Sequence, residues 1–239
     1  MSETTTAALT QVTSLRSQYP ADLLGVPGDE VLLSWQVESQ EDGAGQRSAH
    51  IQASSNPDFS TILAESTLES DAQIEQSAPG GRLSSREVRY YRVRIHTGSE
   101  WSSFSPALRV EAGLLDGADI TAHAIGDSSI AADPVPLLRK DFELSAKPVQ
   151  ARLYISSRGL NDVEINGAKI HDEFLNPGWT AYDFRLNLAT YDVTDYLRPS
   201  ANTIGVMLGD GWHRGKLAFA EQRNHYGTEL SVIAQLELV

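Results

Sequence analysis

Hydrophobic and polar residues alternate along most of this chain, as in VLLSWQVES and YYRVRIH. A period of two places the apolar side chains of a segment on one face of a β-strand, whereas a helix repeats its apolar positions about every 3.6 residues. The apolar segments are short, and clusters of Gly, Pro, Asn, Asp and Ser separate them. The pattern therefore predicts an all-β protein.

Candidate strands occur in both halves of the chain. They span residues 31–38, 48–54, 72–77, 88–96 and 107–111 in the first half, and residues 120–125, 137–144, 150–156, 160–166, 182–188, 203–208 and 230–239 in the second. Only residues 194–198 look helical, as a single turn with Thr194 as its N-cap and Pro199 after it. Asn166 and Gly167 predict a two-residue hairpin turn of type I′, because both central positions of that turn need a positive φ.

The pattern indicates two β-sandwich domains. A chain of 239 residues accommodates two domains of roughly 100 to 130 residues each. The segment GLLDGADITAHAIGDSSIAADPVP is rich in small and acidic residues, which places a domain boundary near Asp116. We assign residues 1–19 to a mobile leader, residues 20–112 to the first domain and residues 113–239 to the second.

Composition excludes several classes of function. The net charge of −13 repels phosphate backbones and anionic lipids, so we expect neither nucleic acid nor a membrane as a partner. The absence of cysteine excludes disulfides, thiolate nucleophiles and Cys-based metal sites. The N-terminus lacks a signal sequence, and we expect a cytoplasmic protein without a cofactor; a secreted protein whose signal has been removed is the alternative.

The first domain resembles a fibronectin type III module, a member of the immunoglobulin-like class of sandwiches. The resemblance rests on VLLSWQVES, on YYRVRIH and on the WSSFSP segment that follows it. We expect Trp35 in the core between the sheets. Arg92 and Arg94 lie on the outer face of their strand, where Trp101 and Phe104 are expected to stack on them; binding of a ligand by Trp101 is the alternative.

The second domain resembles the N-terminal jelly-roll domain of bacterial α-L-rhamnosidases. The matching segments, in the order of the family, are PLLRKDFEL, ARLYISSRGL, EINGAKI, LNPGWTAYDFR, TYDVTDYL and LGDGWHRG. A weaker similarity extends to the galactose-binding-like jelly rolls of β-galactosidase-like enzymes. The resemblance implies that a fibronectin-like module precedes this domain and that a large (α/α)6 catalytic barrel follows it.

No catalytic residue is expected in this chain. The resemblance implies inverting glycoside hydrolysis, which needs a general acid and a general base roughly 6.5 to 9.5 Å apart, and in the family both carboxylates belong to the barrel. Asp172 and Glu173 are adjacent, so on a strand they would point to opposite faces. A metal site made of His171, His213 and His225 is a further alternative, but no compact metal-binding spacing joins these residues, and we expect no metal.

Two short segments carry candidate sugar contacts. LGDGWHRG opens a long connection that mixes aromatic, basic and amide side chains, and NPGWTAYD presents two more aromatic rings. The candidate contacts are Trp179, Tyr182, Asp210, Trp212, His213 and Arg214. The alternative is structural: Trp212 covers the end of the domain, an ion pair of Asp210 with Arg214 holds the turn, and the remaining rings pack at the rim.

Three functions remain open. The first is a non-catalytic N-terminal fragment of an α-L-rhamnosidase-like glycoside hydrolase, which docks on its missing C-terminal catalytic domain and contacts rhamnose-containing carbohydrate. In the full-length protein, that enzyme would release terminal α-L-rhamnosyl residues. The second is a free-standing carbohydrate-binding module, and the third is a protein-interaction module without a sugar ligand. The apolar strand at residues 230–239 runs into the chain end without a turn, so we favour the first and expect the jelly roll to be truncated there.

Overall fold

The computed structural model describes residues 10–20, 24–40, 43, 45–126, 135–217, 219 and 222–239. The chain divides into two compact units between Leu115 and Asp116. Both units consist of antiparallel sheets, so the prediction of two β-sandwiches is confirmed. In the described part of the chain, every helix is too short or too polar to traverse a lipid bilayer.

The first unit packs a three-stranded sheet and a four-stranded sheet. Its strands are β1 (Thr10–Ser17), β2 (Leu32–Ser39), β3 (Ser48–Ser54), β4 (Ile62–Leu68), β5 (Gln76–Ser77), β6 (Val88–His96) and β7 (Leu108–Glu111). The smaller sheet has the order β1-β2-β5 and the larger one the order β4-β3-β6-β7. The core forms where the alternating apolar residues of the two sheets meet.

Strand β6 has one buried and one outward face, as its alternation predicts. Tyr91, Val93 and Ile95 are fully buried, while the arginines between them lie on the outer face. Trp35 is buried in the same core, and its indole N–H donates to Gln46 Oε1 at 2.9 Å. That hydrogen bond satisfies the one polar group of the ring, so the expectation of a core tryptophan is confirmed.

The outer face of β6 carries the expected cation–π stack. The Arg92 guanidinium lies 4.0 Å from the centre of the Phe104 ring, and that of Arg94 lies 5.0 Å from the centre of the Trp101 ring. Phe59, which the sequence did not suggest, covers Arg92 at 4.1 Å. The stack stabilises the sheet surface through contacts within the chain.

The second unit also packs a three-stranded against a four-stranded sheet. Its elements are β8 (Leu137–Leu144), β9 (Ala151–Arg158), β10 (Leu160–Ile165), β11 (Ala168–Lys169), β12 (Ala189–Asp192), β13 (Ser200–Gly209), α1 (Gly211–Arg214) and β14 (Ser231–Leu238). The sheets have the orders β11-β10-β13-β8 and β12-β9-β14. Asn166 and Gly167 connect β10 to β11 with φ angles of 55° and 81°, which confirms the predicted hairpin turn.

Four predicted segments differ in the structure. Residues 10–17 of the expected mobile leader form β1, because they pair with β2 along its length; residues 1–9 lie outside the described residues. Residues 182–188 form a turn and an irregular segment, and the strand β12 begins only at Ala189. Residues 120–125 are irregular apart from one bridge, and the strand expected at 72–77 is reduced to β5. In each case alternation alone could not indicate which segments find a partner strand.

The helical prediction was also partly wrong. Residues Thr194–Tyr196 form a 3-10 turn, but its N-cap is Val193, whose side chain makes no capping bond. The Thr194 hydroxyl instead accepts the N–H of Ala151 and donates to Asp192. Within the described residues, the α-helical turn is α1, inside LGDGWHRG, where the sequence predicted a loop.

Candidate functional site

The loop that follows β13 is packed tightly against the turn between β9 and β10. Gly209 pairs with Leu160 at the ends of their strands, and Gly159 between β9 and β10 has a φ of +108°. A Cβ atom at Gly159 would lie 2.5 Å from the carbonyl oxygen of Gly209, and one at Gly211 would lie 2.6 Å from Leu160 Cγ. The glycines are therefore required for the close approach of the two segments.

Asp210 holds the loop through two arginines. Its Oδ1 accepts a hydrogen bond from Arg214 Nε at 2.6 Å, and its Oδ2 pairs with Arg223. Arg214 is buried, so this ion pair compensates a charge that would otherwise lie desolvated. The Arg214 carbonyl also accepts the N–H of Asn224 at 3.0 Å, which brings the far end of the loop back to α1.

Two tryptophans from different segments stack on each other at the rim. The ring planes of Trp179 and Trp212 are parallel within 4°, and their centres are 6.0 Å apart. The indole N–H of Trp179 points to the hydroxyl of Tyr226 at 3.4 Å. Trp179 remains 57% exposed, so an apolar ring face is available at the surface.

A second layer of rings supports the tryptophans. Tyr182 is buried and makes edge-to-face contacts with His213 and Tyr226, at centre distances of 5.4 and 5.0 Å. His213 Nε2 donates to the carbonyl of Glu229 at 3.1 Å, so its Nδ1 carries the free lone pair, and that atom has no partner in the described structure. Burial lowers the pKa of His213 and keeps the ring neutral.

The turn that presents Trp179 is held by hydrogen bonds to two of its backbone carbonyls. The Asn176–Pro177 peptide is cis, and Gly178 follows with a φ of +87°. The Asn176 carbonyl accepts the N–H of Asn161 on β10 at 2.8 Å, and the Pro177 carbonyl accepts a hydrogen bond from Asn187 Nδ2 at 3.0 Å. Trp179 is thus presented from a turn that is attached to the sheet on one side.

Family comparison identifies both units. Residues 12–116 match the family model described as a Rha78A-like N-terminal immunoglobulin domain, and residues 146–239 match the α-L-rhamnosidase N-terminal domain. The chain is thus similar to the N-terminal region of α-L-rhamnosidases over both of its units. The resemblance to the N-terminal domains of α-L-rhamnosidases is thereby confirmed, including their order, and the first domain is matched as an immunoglobulin domain.

Similar proteins in this family are much longer. An α-L-rhamnosidase of Formosa agariphila is 32% identical over 90% of this chain, which spans 25% of that protein. One from Alteromonas sp. is 31% identical over 86% of this chain and 24% of the relative. The crystal structure of the Aspergillus terreus α-L-rhamnosidase superposes with a TM-score of 0.83 at 28% identity, over 96% of this chain and 27% of that one. The chain therefore spans about a quarter of the length of each of these three relatives.

The α-L-rhamnosidase N-terminal domain brings all six predicted contact residues to one rim, but at different depths. Trp179 and Trp212 reach the surface and Asp210 is partly exposed, whereas the side chains of Tyr182, His213 and Arg214 are buried beneath them. Tyr226 and Arg223 were not among the predicted contacts, although both lie in the long connection that follows LGDGWHRG. The aromatic ring of Tyr226 and the positive charge of Arg223 are the sequence features that could have indicated them.

The alternative sites of the sequence analysis are not assembled at this rim. His171 stacks on Tyr191 with ring centres 4.7 Å apart. Glu173 accepts a hydrogen bond from the Tyr191 hydroxyl at 2.8 Å, and burial together with this bond raises the pKa of Tyr191. Among the described residues, His, Asp and Glu side chains form no group of three suited to a metal ion.

Proposed function

We propose that this chain is the non-catalytic N-terminal part of an α-L-rhamnosidase, and that its second unit binds carbohydrate at the rim formed by Trp179 and Trp212. The relatives that carry the α-L-rhamnosidase name support the first half of the proposal. The full-length protein would hydrolyse terminal α-L-rhamnosyl residues with inversion of the anomeric configuration. The catalytic groups would lie in its remaining polypeptide.

The observation that carries the sugar proposal is the parallel tryptophan pair. The exposed face of Trp179 offers an apolar surface to the C–H groups of a pyranose, and the stacked ring of Trp212 supports Trp179 in this position. Arg223 is partly exposed in the same connection, and the N–H groups of its guanidinium that do not bond to Asp210 supply donors for sugar hydroxyls.

Binding at this rim would not by itself be catalytic. Both carboxylate oxygens of Asp210 are occupied by arginines, and Glu173 already accepts a hydrogen bond from Tyr191. Glycoside hydrolysis needs a carboxylic acid and a carboxylate on opposite sides of the anomeric carbon. A rim that holds the sugar without stabilising the transition state leaves the rate of the chemical step unchanged.

Titration with rhamnosides should show weak binding at the rim without turnover. We expect p-nitrophenyl α-L-rhamnoside to shift the backbone amide NMR signals around Trp179 and Trp212 at millimolar concentration, while no nitrophenol is released. Trp179→Ala should abolish these shifts, because it removes the exposed ring face. Trp101→Ala is the matched control, since it removes a half-exposed tryptophan from the other unit.

Shifts confined to the first unit, or equal loss of binding in both variants, would contradict the proposed rim. Release of nitrophenol above the buffer background would contradict the non-catalytic assignment separately.

A second role, docking on the remaining polypeptide, is favoured by the outer face of the larger sheet. Leu137 on β8 is 76% exposed and pairs with Met207 on β13, which is also exposed. Gly205 leaves the neighbouring position without a side chain, and a groove of about 310 Å³ runs across these strands. An exposed apolar surface of this kind is typical of contact sites between domains.

If this face docks on the remaining polypeptide, a charged substitution on it should weaken the complex, whereas one in the first unit should not. When the remaining polypeptide is produced separately and mixed with this chain, Leu137→Lys should weaken the complex at least about tenfold, because the ammonium would be desolvated in the contact. Ile74→Lys is the control, since Ile74 is 71% exposed but belongs to the first unit. Isothermal titration calorimetry measures both; equal affinity of Leu137→Lys and wild type would remove this role.

A further inference from the structure

His213 attaches the long connection after α1 at two points. Its carbonyl accepts the N–H of Tyr226 at 3.3 Å, and its Nε2–H donates to the carbonyl of Glu229 at 3.1 Å. The ring also lies against the backbone of Gly227, where a Cβ atom would come within 2.9 Å of Nε2. One residue of α1 therefore holds the end of the connection in place.

The other nitrogen of the His213 ring lies in the interior. The residue is 3% exposed, and its Nδ1 has no hydrogen-bond partner in the described part of the chain. The hydroxyls of the neighbouring tyrosines bond elsewhere, since Tyr182 donates to the Gly178 carbonyl and Tyr226 accepts the indole N–H of Trp179. A neutral imidazole fits this position, whereas protonation would add a second N–H donor that meets no acceptor.

The surroundings of the ring oppose its protonation. The charged side chains that act on it are Arg158 at the end of β9, Asp183 in the turn at residues 182–184, and Arg214 on α1. Burial is the largest influence and lowers the pKa of His213, and the hydrogen bond to the Glu229 carbonyl offsets it only in part. The two arginines lower the pKa further, against a smaller opposite effect of Asp183.

The remaining ionisable side chains beside the ring are engaged in other contacts. Asp210 binds Arg214 and Arg223 with its two carboxylate oxygens. His225 is exposed, and its ring contacts that of Tyr226 at a centre distance of 4.8 Å. His213 is therefore distinguished from His225, the other histidine of this connection, by its burial.

We propose that His213 is a pH-sensitive lock, which holds the connection closed when the ring is neutral and releases it when the ring takes up a proton from solvent. The protonated ring would place a desolvated charge and an unpaired N–H in the interior. It therefore leaves this position, and its hydrogen bond to Glu229 breaks. Tyr226 is then released, and Trp179 loses the hydroxyl that accepts its indole N–H. The lock concerns the attachment of the connection and is independent of whether a sugar binds at the rim.

The direction of the pH effect follows from proton linkage. In the open connection His213 is in water and takes up a proton near the ordinary histidine pKa of about 6.5, whereas the closed form takes it up only at lower pH. The stability of the closed form is therefore fully present above about pH 6.5 and is lost as the pH falls towards the lower pKa. One proton separates the two forms, so the ratio of open to closed rises by up to about tenfold for each pH unit in that window.

Hydrogen exchange of individual backbone amides tests the lock. The N–H groups of Asn224 and Tyr226 donate to carbonyls of α1, so they exchange when the connection opens. After correction for the intrinsic pH dependence of exchange, their protection should fall at least about tenfold between about pH 7 and about pH 5, a range above the ordinary titration of carboxyl groups. The N–H of Thr203, which is hydrogen-bonded elsewhere in the same unit, should keep its protection.

Two histidine variants separate the lock from other effects of pH. His213→Gln keeps an N–H donor near the position of Nε2 but takes up no proton, so the protection of the Tyr226 amide should no longer depend on pH. His225→Gln removes the exposed histidine of the same connection and should retain the full response. In the wild type, the Cε1–H NMR signal of His213 should titrate clearly below about pH 6.5.

A pH response that persists in His213→Gln, or that disappears in His225→Gln, overturns the proposal. So does a wild-type His213 ring that titrates near about pH 6.5 while the Tyr226 amide keeps its protection. If His213→Gln does not fold, the titration of the wild-type ring and the exchange of the Tyr226 amide decide between the same outcomes.

Discussion

Replacement of Asp210 by alanine should lower the free energy of unfolding of the second unit by about 3 kcal/mol. The substitution leaves the buried guanidinium of Arg214 without its 2.6 Å partner, and an uncompensated buried charge is the costly result of breaking such a pair. It also releases Arg223, so the connection from α1 to β14 loses its central attachment. Urea unfolding monitored by tryptophan fluorescence measures the loss.

Two control substitutions separate the buried pair from ordinary surface charge. Asp210→Asn keeps an acceptor oxygen for Arg214 and should cost clearly less than Asp210→Ala. Asp195→Ala removes the partner of Lys147 in an exposed ion pair, and we expect no measurable change. If Asp210→Ala leaves the free energy of unfolding as unchanged as Asp195→Ala does, the connection from α1 to β14 is held by other contacts.

Replacement of Gly159 by alanine should destabilise the second unit by about 3 kcal/mol or more, through strain and overlap together. The φ of +108° is unfavourable for a residue with a Cβ atom, and that atom would lie 2.5 Å from the Gly209 carbonyl and 2.7 Å from Leu230 Cδ2. Relief of the overlap requires the backbone before Asp210 to move. The backbone amide NMR signals of the rim should therefore shift in this variant. Urea unfolding should show a lower midpoint.

Gly167→Ala isolates the contribution of backbone strain. Gly167 also has a positive φ, of +81°, but no atom lies within 4 Å of the position that its Cβ would occupy. We expect a loss of about 1 kcal/mol, the cost of a left-handed conformation alone. Equal losses at Gly159 and Gly167 would show that the approach of Gly209 is not tight in solution.

Two sequence motifs predicted which residues meet at the candidate rim, but not how deeply each of them is buried. The two segments LGDGWHRG and NPGWTAYD were sufficient to indicate a group of aromatic and charged side chains, and the structure brings the two segments into contact. Their depth in the rim was not predictable, because burial of Tyr182, His213 and Arg214 depends on the return of the long connection over them. The hydrogen bond from Trp179 to Tyr226 joins residues 47 positions apart.

The sequence by itself determined the features that depend on local geometry. Period-two alternation assigned Tyr91 and Val93 to the core and Arg92 to the outer face, because successive side chains of a strand point in opposite directions. The Asn166–Gly167 turn follows equally from the φ angles that these two residues tolerate.

Only the tertiary structure decided which extended segments became strands. Residues 182–188 alternate but find no partner strand, whereas the polar edge strand β4 and the N-terminal strand β1 are formed by their pairing with β3 and β2. A strand is stabilised by hydrogen bonds and side-chain contacts with a neighbour that is distant in sequence, so its existence depends on the topology of the whole sheet. The helical turn α1 has the same origin, because the ion pair of Asp210 and the approach of Gly211 to Leu160 hold it in place.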